Sequence, residues 1–126
     1  MPRGRVSVIV LVVLAILGAA VPTYAEPAKL SQVVYITRSK ACGCSAERVK
    51  VADKVVSQVF TGPRQALVKR IDYDTDRQAA VPYIGQYRLI QLPALLFLDS
   101  QGRLLWSAIG DVEQKQVAQK LDQLGG

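Results

Sequence analysis

Gln32-Val33-Val34-Tyr35-Ile36-Thr37-Arg38-Ser39-Lys40-Ala41-Cys42-Gly43-Cys44-Ser45 decides how the rest of the chain is read. After Gln32, its next five residues are β-branched or aromatic without a helical period, which predicts a buried strand over 32–37. Cys42 and Cys44 follow directly. Downstream, Val49, Ala52, Val56 and Val59 recur at three- and four-residue steps, with Val55 and Phe60 widening the stripe. That pattern predicts an amphipathic helix over 45–60, stopped by Thr61-Gly62-Pro63. A cysteine pair thus sits at a strand-to-helix junction.

Outward from this junction the chain alternates strand and helix. Residues 66–72 read as a second strand, and 74–87 as a short helix broken or entered near Pro82. Ala94 to Leu98 is a continuous apolar strand. Asp99-Ser100-Gln101-Gly102 is a hairpin turn leading to a returning strand, Arg103 to Ile109. Gly110 precedes a final helix with Asp111 as N-cap, Gln114 completing a capping box, and Val117, Leu121 and Leu124 as the inner stripe. There is no internal repeat.

The N-terminus predicts the compartment. Met1 to Arg5 is basic, Val6 to Val21 is an uncharged apolar run, and Thr23 and Ala25 are small residues two apart. This reads as a secretory signal peptide over 1–25, cut after Ala25, with one domain over 26–126. The apolar run is short for a membrane span of roughly 20 residues, so membrane attachment is expected only if the leader stays uncleaved. The expected location is periplasmic or secreted. The chain carries 16 Lys and Arg against 10 Asp and Glu, with no His. The cations are scattered, which predicts a solvated surface and no nucleic-acid site. Without His, no imidazole can act as base or ligand. Met1 belongs to the leader, so Cys42 and Cys44 are the only sulfur of the mature chain. Two nearby thiols in an exported chain fit an oxidising compartment.

The order of elements resembles the thioredoxin-like superfamily, and so do particular residues. Val33 to Ile36 followed by Cys42 resembles its central strand and redox loop. Val68 to Asp74 resembles its next parallel strand, where members often read Val-Asp-x-Asp. Leu92-Pro93-Ala94 resembles the cis-proline segment, and Gly110 the closing glycine. The likeness covers roughly residues 31 to 124. It implies an α/β fold with a central mixed β-sheet flanked by helices. It also implies an exported thiol–disulfide oxidoreductase with Cys42 and Cys44 as catalytic pair and Leu92 and Pro93 binding substrate, no cofactor and no metal. Its partners would be client protein thiols or disulfides and an unidentified redox partner.

The chain departs from that pattern. Ala41 stands where the family has tryptophan, the proline of the redox loop is missing, and the cysteines are separated by one residue rather than two. The family's buried acid, six residues before the first cysteine, is Ile36 here. Cys42-Gly43-Cys44-Ser45 also resembles the Cys-Gly-x-Ser of monothiol glutaredoxins.

The chemistry follows from the thiolate, which attacks disulfides where the thiol does not. A helix N-terminus favours an anion, and Arg38, Lys40 and Arg48 add positive charge. Cys42 is therefore expected to attack and Cys44 to resolve. Gly43 suits the unusual backbone of a one-residue bridge. The small ring predicts a strained, readily reduced disulfide. A purely structural bridge would close almost no loop and add little stability. The alternative function is a Cu(I)-binding or metallochaperone module, since two thiolates suit a soft ion. Zn is disfavoured without His. Asp72, Asp74 and Asp76 read as turn and cap residues, and Tyr35 and Trp106 as packing residues.

Overall fold

The structure, a computed structural model, describes residues 28–125. The leader and its cleavage site lie outside the described residues. Strand β1 spans Gln32–Thr37 and helix α1 Cys44–Val59. A 3-10 helix, Gly62–Leu67, leads into β2, Val68–Asp72. Helix α2 is Arg77–Tyr87, β3 is Ala94–Leu98, β4 is Leu104–Ile109, and α3 is Gln114–Gln123. The strands form one mixed sheet in the order β2-β1-β3-β4. β1 runs parallel to β2 and antiparallel to β3, and β4 returns antiparallel to β3.

The sheet is covered on both faces. Val33 and Tyr35 of β1 and Leu95 and Phe97 of β3 face α1 and α3, meeting Ala52, Val56, Val117 and Leu121. The alternate residues, Val34, Ile36, Leu96 and Leu98, face α2 and meet Ile71, Ala80 and Leu89. The two-residue period of a strand sends neighbours to opposite layers, and two covered faces explain why β1 and β3 are apolar throughout. Trp106 packs edge-on against Phe97, ring centres 5.1 Å apart. On edge strand β2, Lys69 and Arg70 are both exposed and point to opposite faces: Lys69 Nζ lies 5.4 Å from the Tyr83 ring centre, and the Arg70 guanidinium 5.3 Å from that of Tyr35.

Several expected boundaries move. The 3-10 helix claims residues 66 and 67, because Pro63 favours a helical entry and Gly62 takes φ +58. Helix α2 is capped by Asp76, whose carboxylate accepts from the Ala79 N–H at 3.3 Å, and it runs through Pro82 without breaking. Helix α3 starts at Gln114 with Glu113 as N-cap and no side-chain cap. Asp111 is therefore not the cap: Val112 is buried at that point, which holds the chain extended, and Asp111 turns out to Arg48 at 3.1 Å.

The hairpin turn matches its reading. Asp99 Oδ1 accepts from the N–H groups of Gln101 and Arg103 at 2.8 and 2.9 Å, and Oδ2 from Arg103 Nε at 2.7 Å. The Arg103 backbone N–H first, with the guanidinium and the Gln101 N–H, holds the Asp99 carboxyl below the usual carboxylate range. A lowered folded value means the ionised form supports the fold. That support is complete above the unfolded carboxylate value of about 4 and is lost as the pH falls below it. Asp99→Asn is expected to lower the melting temperature at neutral pH, and the gap to wild type should close in acid. A gap of constant size across pH would refute this role.

Gly110 joins β4 to the α3 approach with φ +76, and its N–H donates to the Pro93 carbonyl at 2.7 Å. A Cβ there would come within 2.7 Å of Gln91 Oε1. Gly110→Ala is expected to cost about 1–2 kcal/mol through its left-handed backbone alone, read as a lower denaturant midpoint at unchanged slope.

Candidate functional site

The parallel strands β1 and β2 end side by side, with Thr37 in register with Asp72. The loops leaving two such ends are a natural place for chemistry. Here the β2 exit holds the β1 exit in place. The Tyr73 N–H donates to the Thr37 carbonyl at 2.9 Å. Asp72 Oδ1 accepts from the Ser39 N–H at 3.1 Å and from the Asp74 N–H at 3.0 Å. Asp74 Oδ2 accepts from the Lys40 N–H at 2.9 Å, while Oδ1 takes Arg38 Nη2 at 2.9 Å. Ser39 holds Asp72 below the usual carboxylate range, and Arg38 does the same for Asp74. Asp74 in turn raises Arg38. Residues read as turn and cap formers from sequence thus clamp Arg38, Ser39 and Lys40, three of the four residues that carry the chain from β1 to Cys42.

The cysteines sit where this clamped loop meets α1. Gly43 is the helix N-cap, at φ 59 and ψ −136, a region open almost only to glycine. Cys44 is the first helical residue, and Cys42 precedes the cap. The expected helix start therefore shifts: the helix terminus lies beneath Cys44 as much as beneath Cys42. Both thiols are free and exposed. No side chain caps this end of α1, and the first amides of a helix lack partners within it.

A cleft of about 360 Å³ includes Ser45, the residue after Cys44, in its lining. Its lining brings together Arg38, Ser45, Tyr73, Ile84 and the run from Leu89 to Leu92; neither cysteine lines it. The Leu92–Pro93 bond is cis. Leu92 lines the cleft, whereas Pro93 is fully buried behind it with its carbonyl taken by Gly110. Ile90 is 92% exposed on the rim. Sequence reasoning named Leu92 but missed Ser45, Tyr73 and Ile90. The paired C-terminal ends of parallel strands were the signal that could have pointed to the Tyr73 side.

Charge near the pair is less diffuse than the sequence suggests. Arg48 is drawn away to Asp111. Ile36 faces α2, so it does not lie under α1 at all. On β1 it is Val33, Tyr35 and Thr37 that face α1, and the carboxylate comes from the helix itself. Asp53 Oδ1 accepts from the Tyr35 hydroxyl at 2.6 Å and from Arg70 Nη2 at 2.9 Å. Burial first, then the Asp53 hydrogen bond, pushes the Tyr35 phenol well above its ordinary range. Tyr35 is thus more than a packing residue. Asp53 lies nine positions beyond Cys44, roughly 13 Å along a helix axis, so it anchors α1 to β1 and β2 rather than serving the thiols. Among the described residues no third Cys, Asp or Glu joins the pair into a metal-sized cluster.

No family model and no curated protein matches the chain. Solved structures do. An uncharacterized thioredoxin-like protein from Clostridium perfringens superposes with a TM-score of 0.50 at 14% identity, over 79% of this chain and 75% of that one. Thioredoxin O2 from Arabidopsis thaliana, in its oxidized state, gives 0.47 at 21% identity, over 76% of each chain. StoA from Bacillus subtilis gives 0.42 at 14% identity, over 74% of this chain and 84% of its own. With its mixed four-stranded sheet, helices on both faces and a cysteine pair at the β1–α1 junction, the chain has a thioredoxin-like fold.

Proposed function

We propose that this chain is an exported thiol–disulfide oxidoreductase that exchanges disulfides with client proteins through Cys42 and Cys44. The observation that carries the reading is the placement of two free, exposed thiols around the cap of α1, next in sequence to Ser45, which lines a cleft together with Leu92. The Cys42 thiolate attacks one sulfur of a client disulfide. A new S–S bond forms, the client's bond breaks, and the departing client thiolate takes a proton. The Cys44 thiolate then attacks the Cys42 sulfur and releases the second client thiolate. The client gains two electrons, and the pair becomes a Cys42–Cys44 disulfide. The same steps in reverse oxidise a client dithiol, and a second thiol or disulfide protein restores the starting state. The basic and apolar leader sequence supports export.

The residues 26–126 protein, alkylated and weighed by mass spectrometry, tests this. Dithiothreitol is expected to yield two labelled cysteines, and a peptide disulfide to yield none, with one internal bridge. A pair that stays reduced in oxidised glutathione would overturn the reading.

The cleft gives the client side its chemistry. An extended client segment can pair along the Leu92 backbone, and its apolar side chains then meet Ile90, Leu92 and Tyr73. Ile90→Asp removes roughly 1 kcal/mol of such contact, less than full burial of an isoleucine. It is expected to slow exchange with an apolar peptide disulfide about fivefold and to leave exchange with a small aromatic disulfide unchanged. Equal loss on both substrates would show damage to the thiols instead.

A further inference from the structure

The sheet has two borders, and the sequence treats them differently. On β2 the adjacent Lys69 and Arg70 stand exposed. On β4, the other outermost strand, Leu104-Leu105-Trp106-Ser107-Ala108-Ile109 holds no charge, no proline and no glycine. Leu104 is exposed, and Leu105, Trp106, Ser107 and Ile109 are half-buried. A border strand that carries neither charge nor proline is a template for another strand.

The end of β4 fixes which of its backbone groups point outward. The Gly110 N–H donates to the Pro93 carbonyl at 2.7 Å, and Ile109 is in register with Ala94. Antiparallel pairs alternate between bonded and unbonded. Trp106 and Ala108 therefore turn their backbone groups to β3, while Ser107 and Ile109 turn theirs away from it. Among the described residues, no backbone bond from another segment reaches Leu105 or Ser107. The flanking charges say what fits there. Arg103 precedes the strand and Asp111 follows it, with side chains 71% and 81% exposed. The same strand running the opposite way brings acid to base at both ends, whereas a parallel copy sets like against like.

We infer that β4 is the pairing edge for a second copy of this chain, joined antiparallel about a two-fold axis at Ser107, so that two four-stranded sheets become one. The Ser107 N–H and C=O of each copy meet those of the other, and Arg103 of each copy approaches the opposite Asp111. Each of these charges already has a partner in its own chain, Asp99 for Arg103 and Arg48 for Asp111, so signs alternate across the seam. A two-fold contact closes on itself, and the charged β2 is left outermost on both sides. The cysteines lie at the end of the sheet where β4 finishes, because β3 and β4 each reverse direction. Opposed strands thus send the two cysteine pairs to opposite ends of the dimer. The pairing does not depend on what the cysteines do.

Sedimentation equilibrium and amide hydrogen exchange test it together. The protein of residues 26–126 contains the whole sheet and both helical layers, and dithiothreitol keeps its thiols from linking copies. Over about a hundredfold rise in concentration, the mass is expected to climb from one chain to two and stop. The Ser107 N–H should exchange about tenfold more slowly once roughly nine chains in ten are paired, while the Ala108 N–H, already bonded to β3, keeps its rate. Ser107→Lys sets like charges against each other at the axis and should leave a monomer. Asp111→Lys should weaken pairing about tenfold, since both ends of the seam lose their opposite charge. Four results would overturn the inference: one chain at every concentration, a doubled mass with the Ser107 N–H unchanged, growth beyond two chains, or wild-type pairing in Asp111→Lys. Slowing of the Ser107 N–H only on adding an extended peptide, at constant mass, would give the edge to a client strand and overturn it as well. Exchange is read on the wild-type protein, so the test stands even if Ser107→Lys folds poorly.

Discussion

Everything in this molecule is hung on β1, a strand buried on both faces. Val33 and Tyr35 lock into the α1–α3 layer, Val34 and Ile36 into the α2 layer, and β2 and β3 close both of its edges. A one-residue slip would exchange the two faces entirely, so the register is fixed by packing before any polar contact forms. That constraint sets where Thr37 ends, hence where Arg38 to Lys40 leave the sheet and where Cys42 comes to rest.

Polar groups then refine what packing has placed. On the α1 side, Asp53 gathers the Tyr35 hydroxyl and Arg70, tying the helix to the two parallel strands. At the strand ends, Asp72 and Asp74 take up the backbone of Ser39 and Lys40. Removing one partner from such an arrangement costs more than the bond's net worth, because the remaining group loses its compensation. The two carboxylate clusters divide the labour: one orients the helix that bears Cys44, the other the loop that bears Cys42. Gly43 is the joint between these two bodies.

Much of this was legible in the sequence. The strands at 32–37 and 94–98, the hairpin turn at Asp99 and the existence of all three helices follow from local composition and period. The cis bond at Pro93 came with the resemblance to a family. What local reading could not supply was set by tertiary contact. Val112 is apolar in a stretch that reads as capped helix, and only its burial shows why α3 waits until Gln114. The helix pattern near the cysteines did not reveal that Gly43 takes the cap, because that depends on the clamped loop before it. The contacts of Asp53 with Tyr35 and Arg70 had no local signal, since both partners are distant in sequence. Of the candidate site, the place of Cys42 and Cys44 at the β1–α1 junction was legible. Its acidic clamp and its Ile90 rim were not, because they are made by chain segments that meet only in the fold.

The exposed cations of β2 have one more consequence. A strand at the border of a sheet offers a row of free amides and carbonyls to any extended chain, including a second copy of itself. Lys69 and Arg70 are adjacent there, one held on each face of the sheet by an aromatic ring. Edge-to-edge stacking of two copies through β2 would bring like charges together above and below the new seam. The rings that steady these side chains keep that repulsion in place, so the same contacts that dress the sheet also discourage fibre-like association along its open border.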